Sequence, residues 1–331
     1  MKKQYITFLL CLLCISLFAQ EETAQEYIDK GITYHDQGDY DKAIEAYKKA
    51  LEIDPNSSIA YYEISFSYFG KQDYKKAEEY GKKSIALDDK NLVHSYITLG
   101  NALDMQGKSK EALKIYEKAL KKFNHPLLNY NYAVTLYDQK QFDKAYTVIT
   151  EGIAQNPNHP TSHILLSDIM AKKGNRIKAV LPLYYFLILE PATERSERQY
   201  QRLQNYLSQG VSASDTGIDI TINPTEDDFS AAEMMMSMVK ASNSLEENKD
   251  KTALELFAEN NASIFSILGE LRDDKKGFWW DIYVDSFYSL TQDNLIPVFS
   301  YYISFTQGAA ATQWLISHED DYDRFKNWFA K

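Results

Sequence analysis

Over residues 24–57 the apolar positions fall twice into a helical rhythm. Tyr27, Gly31 and Tyr34 stand at i, i+4 and i+7, one face of a first helix. Gln37-Gly38-Asp39 breaks the rhythm, and glycine permits the positive φ that ends a helix. Ala43, Tyr47, Ala50 and Leu51 then share a face of a second helix, which Asp54-Pro55 stops because proline cannot continue the hydrogen-bond ladder. The pattern predicts a helix–turn–helix unit. Gly31, Ala43 and Ala50 are the small residues where two helices must approach closely, and Tyr27, Tyr34 and Tyr47 fill the space beside them.

The unit recurs in register. Its close-approach alanine returns at Ala43, Ala77, Ala112, Ala145 and Ala179, at spacings of 34, 35, 33 and 34 residues. The turn position holds Gly38, Gln72, Gly107, Lys140 and Gly174, and the closing proline is Pro55, Pro157 and Pro191, with Asp89 and Asn124 in the other two units. A helical hairpin at this period resembles the tetratricopeptide repeat. The units run 24–57, 58–92, 93–125, 126–159 and 160–193. The resemblance implies an all-α superhelix, a solenoid of five helix-turn-helix repeats whose first helices line a concave groove. By that resemblance the groove residues are Ile59, Tyr62, Phe66 and Phe69 in the second repeat, His94, Asn101 and Asp104 in the third, and Tyr130, Val134 and Tyr137 in the fourth. The family's clamp for chaperone tails needs Lys, Asn and Arg at set groove positions. Ile28, Ile32, Glu63, His94 and Thr98 stand there instead, so a chaperone tail is not the expected ligand. An aromatic, apolar groove with scattered acids suits a peptide with apolar side chains and some Lys or Arg. The protein's own C-terminal half is the competing occupant, since an exposed apolar patch needs a partner.

The fifth repeat departs from the pattern. Its second helix, Val180-Leu181-Pro182-Leu183-Tyr184-Tyr185-Phe186-Leu187-Ile188-Leu189, is apolar all round, with Phe186 where a small residue is usual and Pro182 expected to kink it. It is expected to dock the C-terminal region. Residues 194–209 read as a capping helix and 210–225 as a linker, in which Ile218, Ile220 and Ile222 alternate like a strand with no obvious partner. Residues 226–331 read as an all-helical region packed on the repeats. They hold a methionine run (Met234, Met235, Met236, Met238) expected to be core filler, and a central aromatic helix from Phe278.

At the other end, Met1-Lys2-Lys3, an apolar run from Tyr5 to Phe18 and the Leu17-Phe18-Ala19 ending look like a secretory signal peptide over residues 1–19. Leu13 before Cys14 argues against lipidation. The leader resembles those of exported Bacteroidota-type proteins, so a periplasmic, envelope-associated or secreted location is expected. Cleavage would remove both cysteines and two lysines, leaving 34 basic against 47 acidic residues, net −13. A mature chain without cysteine has no disulfide and no thiolate ligand. An acidic chain with no basic stripe argues against nucleic acid.

Chemistry-bearing motifs are weak. Gly107-Lys108-Ser109 is like the end of a phosphate loop, but the required glycine would fall at position 102, where Ala102 stands, between two helices. His159 and His163 have the spacing of a metal pair, with no further ligand to complete a set. Asp281 and Asp285 lie one turn apart and suit acid–base work only if desolvated. No cofactor or metal is expected. The reading is a non-enzymatic interaction scaffold of the cell envelope that binds a protein or peptide in the groove. The alternatives are an enzyme with its site near Asp281 and Asp285, or a self-associating structural protein.

Overall fold

The computed structural model describes residues 22–87, 92–214, 217–221 and 228–330. The expected signal peptide, Asp89, Ile222 and Asp227 lie outside the described residues. Among the described residues the chain is all-α apart from one hairpin, and it divides after Asn124 into two compact units.

The first unit holds three helix pairs: α1 (Ala24–Asp36) with α2 (Tyr40–Ile53), α3 (Ser58–Gly70) with α4 (Tyr74–Ala86), and α5 (Val93–Met105) with α6 (Ser109–Leu120). Side-chain caps set the starts of the first four, while α5 and α6 begin without one. Thr23 and Glu26 form a reciprocal capping box on α1, and Ser57, Asp39 and Asp73 cap α3, α2 and α4 through their side chains. The pairs close through glycine–tyrosine complementarity. A Cβ on Gly31 would lie 2.3 Å from the Tyr47 ring, and one on Gly100 would lie 2.4 Å from Tyr116. In the middle pair the small residues change places. Gly81 faces Ser65, whose hydroxyl donates to the Ala77 carbonyl at 2.7 Å.

All five turn positions named from the sequence have positive φ: Gly38, Gln72, Gly107, Lys140 and Gly174, at +78°, +61°, +76°, +57° and +75°. Each turn also repeats one bonding pattern. In the first, the Gly38 amide donates to His35 at 2.8 Å and the Asp39 amide to Tyr34 at 2.9 Å, which satisfies carbonyls the helix end leaves free.

The second unit begins with two more pairs, α7 (Pro126–Asp138) with α8 (Phe142–Gln155) and α9 (Pro160–Lys172) with α10 (Arg176–Leu189), followed by α11 (Glu194–Ser208). Then come a hairpin of β1 (Val211–Ser214) and β2 (Gly217–Ile220), α12 (Ser230–Ser242) and α13 (Ala253–Arg272). A π-helical segment, Trp279–Val284, leads into α14 (Asp285–Gln292), followed by α15 (Ile296–Ile303), α16 (Ala309–Ser317) and α17 (Glu319–Phe329).

Helix α10 is the axis of this unit. Ile177, Ala179 to Tyr184 and Phe186 to Ile188 are all buried, and the helix runs unbroken through Pro182. Tyr184 lies 5.2 Å from Phe265, 5.8 Å from Phe287 and 5.9 Å from Phe299, ring centre to ring centre. Its hydroxyl donates to Asn261 Oδ1 at 2.5 Å, and Asn261 Nδ2 donates to Ser300 Oγ at 2.9 Å. A second tie is the buried pair of Arg176 and Glu233, 2.5 Å apart. Glu233 also accepts the Ile177 amide at 2.9 Å, and Arg176 donates to Ser237 Oγ at 2.6 Å. The apolar fifth repeat therefore docks the later helices, as its sequence implies.

Two expectations need correction. Ile218 and Ile220 do have a strand partner, the residues just before them: Val211 pairs with Ile220 and Ala213 with Ile218, antiparallel. Gly210 makes the entry possible, since at φ +79° a Cβ would lie 2.3 Å from the Thr221 carbonyl oxygen. Of the methionine run, only Met236 is fully buried. Met234 and Met238 face solvent, because α12 packs only one side of its cylinder against the unit.

Candidate peptide-binding faces

In the first unit, helices α1, α3 and α5 place a ladder of rings side by side. His35 stacks on Phe66 at 4.6 Å and 15°, Phe66 lies parallel to Tyr62 at 5.9 Å and 10°, and Tyr62 reaches His94 at 6.3 Å. Tyr62 and Phe66 lie one turn apart on α3, so helical spacing alone puts them together. His35 is held by a 2.8 Å bond from its Nδ1 to Ser67 Oγ, and burial lowers its pKa. The ladder stays open: Phe66 is 39% exposed and Ile59, on the same helix, 46%.

Beside the rings is Glu63, a half-buried carboxyl. Its bond comes from Tyr47, whose hydroxyl donates to Oε2 at 3.5 Å. Burial pushes its pKa up to about 7, nearby Asp36 adds to the rise, and the Tyr47 bond opposes it. Burial likewise raises the Tyr62 phenol to about 12, with Glu63 contributing. In the sequence Glu63 stands out only as a mismatch to the chaperone clamp. Its environment depends on α1 and α2 folding against α3.

The other residues named for the first unit have different employment. Phe69 packs edge-on to Tyr74 at 5.4 Å and joins the hydrophobic cluster around Ile28, Tyr47 and Ile64. Asn101 Oδ1 accepts the Tyr116 hydroxyl at 2.6 Å, and Asp104 accepts Ser109 at 2.5 Å. These three serve the joints of the repeats, while Ile59, Tyr62, Phe66 and His94 present a surface.

In the second unit Tyr130, Val134 and Tyr137 are half-buried on α7. Tyr130 stands edge-on to His159 at 5.2 Å, and Tyr137 tilts against Phe142 at 5.5 Å. Helix α11 brings two arginines to this face. Arg202 pairs with Asp168 and donates to Gln199 Oε1 at 2.7 Å, while Arg195 pairs with Glu190 and donates to Thr161 Oγ1 at 3.1 Å. Burial raises the phenol pKa of both tyrosines. Arg195 opposes the rise at Tyr130, while at Tyr137 Asp168 adds to it and Arg202 opposes. This face is lined by the chain's own cations, a feature with no signal in the repeat pattern.

The remaining candidates resolve into structure. His163 is fully buried; its Nε2 donates to the Pro157 carbonyl at 2.7 Å, so Nδ1 accepts the Tyr283 hydroxyl, also at 2.7 Å. Burial lowers its pKa to about 4, which keeps the ring neutral. His159 Nδ1 bonds Ser162 instead, and no cluster of metal ligands occurs among the described residues. Asp281 and Asp285 are exposed and share Arg272, at 3.1 and 2.7 Å. The inner face of their helix is filled by Trp279, Trp280, Tyr283 and Phe287. Lys108 of the phosphate-loop-like turn pairs with Glu78 at 2.7 Å.

Models of the tetratricopeptide repeat match residues 24–57, 56–124 and 103–175. Among solved structures the chain is similar to YrrB, described as a TPR protein with an unusual peptide-binding site (23% identity, 56% of this chain and 94% of that one, TM-score 0.43). It is similar also to the Pseudomonas aeruginosa protein pilF (21%, 56% and 89%, TM-score 0.48) and to TTC0263 of Thermus thermophilus (18%, 56% and 99%, TM-score 0.47). No curated protein matches the sequence.

Proposed function

This chain is a tetratricopeptide-repeat protein through residues 24–175, and we propose that it is an exported interaction scaffold of the cell envelope. It holds an extended segment of a partner protein against the face made by α1, α3 and α5. Repeat arrays of this kind are protein-interaction scaffolds, and they bind along their stacked first helices. The observation that carries the reading is the open ladder His35–Phe66–Tyr62–His94. Rigid rings with exposed faces anchor a ligand at low entropic cost. Export rests on the basic and apolar leader of residues 1–19. No helix among the described residues is long and apolar enough to cross a membrane.

The test is an affinity purification from envelope extract, with the natural chain beside a variant carrying Tyr62→Ala and Phe66→Ala. The expected result is a partner held by the first and lost by the second, with both chains equally folded. A partner retained by the variant would remove the face from consideration. Mass spectrometry of the envelope fraction should find a new N-terminus at Gln20. An intact Met1 terminus would end the export reading.

A further inference from the structure

The three first helices of the first unit are nearly free of cations. Neither α3 nor α5 contains a lysine or arginine, and α1 has only Lys30, which is paired with Glu22. Five of the seven lysines of α2 and α4 pair with acids on their own surface: Lys42 with Asp39, Lys49 with Glu45, Lys76 with Asp73, Lys82 with Glu78 and Lys83 with Glu79. Glu63 and Asp36, by contrast, have no ion-pair partner among the described residues, and they lie close enough for Asp36 to act on the Glu63 charge. The titratable groups that act on Glu63 or lie beside it are Asp36 from α1, Tyr47 from α2 and Tyr62 on α3 itself, none of them a cation, and the imidazoles of the ladder are His35, next to Asp36 on α1, and His94, across Tyr62 on α5.

We infer that this part of the face is a cation-accepting subsite, in which Glu63 with Asp36 receives the ammonium or guanidinium of a lysine or arginine in the bound segment, while Phe66 and Tyr62 hold its apolar flank. The inference rests on the proposed function and names the chemistry of its ligand. A carboxyl held half out of water next to a second acid gains more from an arriving cation than an exposed one does. The neighbouring rings favour the same charge through their faces. The partner is therefore a protein segment with a basic residue beside an aromatic or aliphatic one. Because burial holds Glu63 partly protonated near neutrality, arrival of the cation expels that proton.

The experiment uses the full chain and a set of fluorescent apolar peptides identical except at one position, which carries Lys, Arg, norleucine or Glu. Binding is read by polarisation at pH 6 and pH 8 for the natural chain, Glu63→Gln and Phe66→Ala. The Lys and Arg peptides should bind about tenfold tighter than the norleucine peptide, and the Glu peptide weakest, since ion-paired hydrogen bonds are the strong ones. The preference should grow from pH 6 to pH 8. Glu63→Gln should erase both the preference and its pH dependence while keeping the norleucine peptide. It resembles the neutral carboxyl in shape, and its melting temperature serves as the folding control. A Lys preference and pH slope unchanged in Glu63→Gln would overturn the subsite and leave the binding face standing. If no peptide binds the natural chain better than it binds Phe66→Ala, both readings fall.

Discussion

Aromatic rings crowd both units of this protein, and they do opposite things. In the first unit His35, Phe66, Tyr62 and His94 form a ladder with Phe66 39% exposed. In the second, Tyr184, Phe265, Phe287 and Phe299 are sealed. The residue types are the same. What separates them is a further layer: α10 is covered by α13, α15 and the segment around Tyr283, while α3 keeps one side of its cylinder toward solvent. An aromatic stripe at helical spacing is thus core or contact surface according to what the rest of the chain brings to it. A similar contrast holds for charge. Glu233 is more deeply buried than Glu63, yet it has Arg176 and the Ile177 amide, whereas Glu63 has one long bond from a tyrosine.

The contrast can be tested at several points. Phe287→Ala should destabilise the protein by about 3–5 kcal/mol, the range for an aromatic lost from a packed core, while Phe66→Ala should cost under about 1 kcal/mol and act on binding instead. Urea denaturation of the two variants decides it, and equal losses would mean that the ladder is core. Glu233→Ala should cost about 3–5 kcal/mol by stranding Arg176 without its partner. The double change Arg176→Met with Glu233→Leu should recover most of that loss, and a failure to recover would show that the hydrogen bonds to Ile177 and Ser237 matter more than the charge.

Next in size is a pH effect. The folded-state pKa of His163 lies near 4, below the ordinary value of 6.5, so its contribution to stability is complete above pH 6.5 and is lost as pH falls toward 4. The loss should approach about 3 kcal/mol at the acid end of that window. His163→Gln should flatten this part of the stability profile measured by denaturation at stepped pH. Smallest are the two turns that use the wrong residue. Gln72→Gly and Lys140→Gly relieve a positive φ and should each raise stability by about 1 kcal/mol, visible as a higher melting temperature.

Much of the repeat region was legible because its signals are local. The close-approach alanines Ala43, Ala77, Ala112, Ala145 and Ala179 are all fully buried, and all five turn positions adopt the backbone that their glycines and substitutes implied. The candidate site was legible only in part. Tyr62 and Phe66 meet because four residues make one turn, and helical spacing could say that. Phe69 and Asn101, named from the same resemblance, are taken up by Tyr74 and Tyr116 on the partner helices. The hairpin was half visible: Ile218 and Ile220 alternate, but Val211–Ser214 carries too little pattern to announce itself as their partner.

Residue order alone set the array of helical pairs, their turns and an apolar fifth repeat that must be covered, because these depend on spacing within one or two helices. Tertiary packing chose which rings stay open, which histidine is buried neutral and that Glu63 is half-buried with a tyrosine as its partner. Those outcomes depend on groups brought together across long stretches of chain, as when His163 meets Tyr283 from 120 residues away, and burial sets their energies.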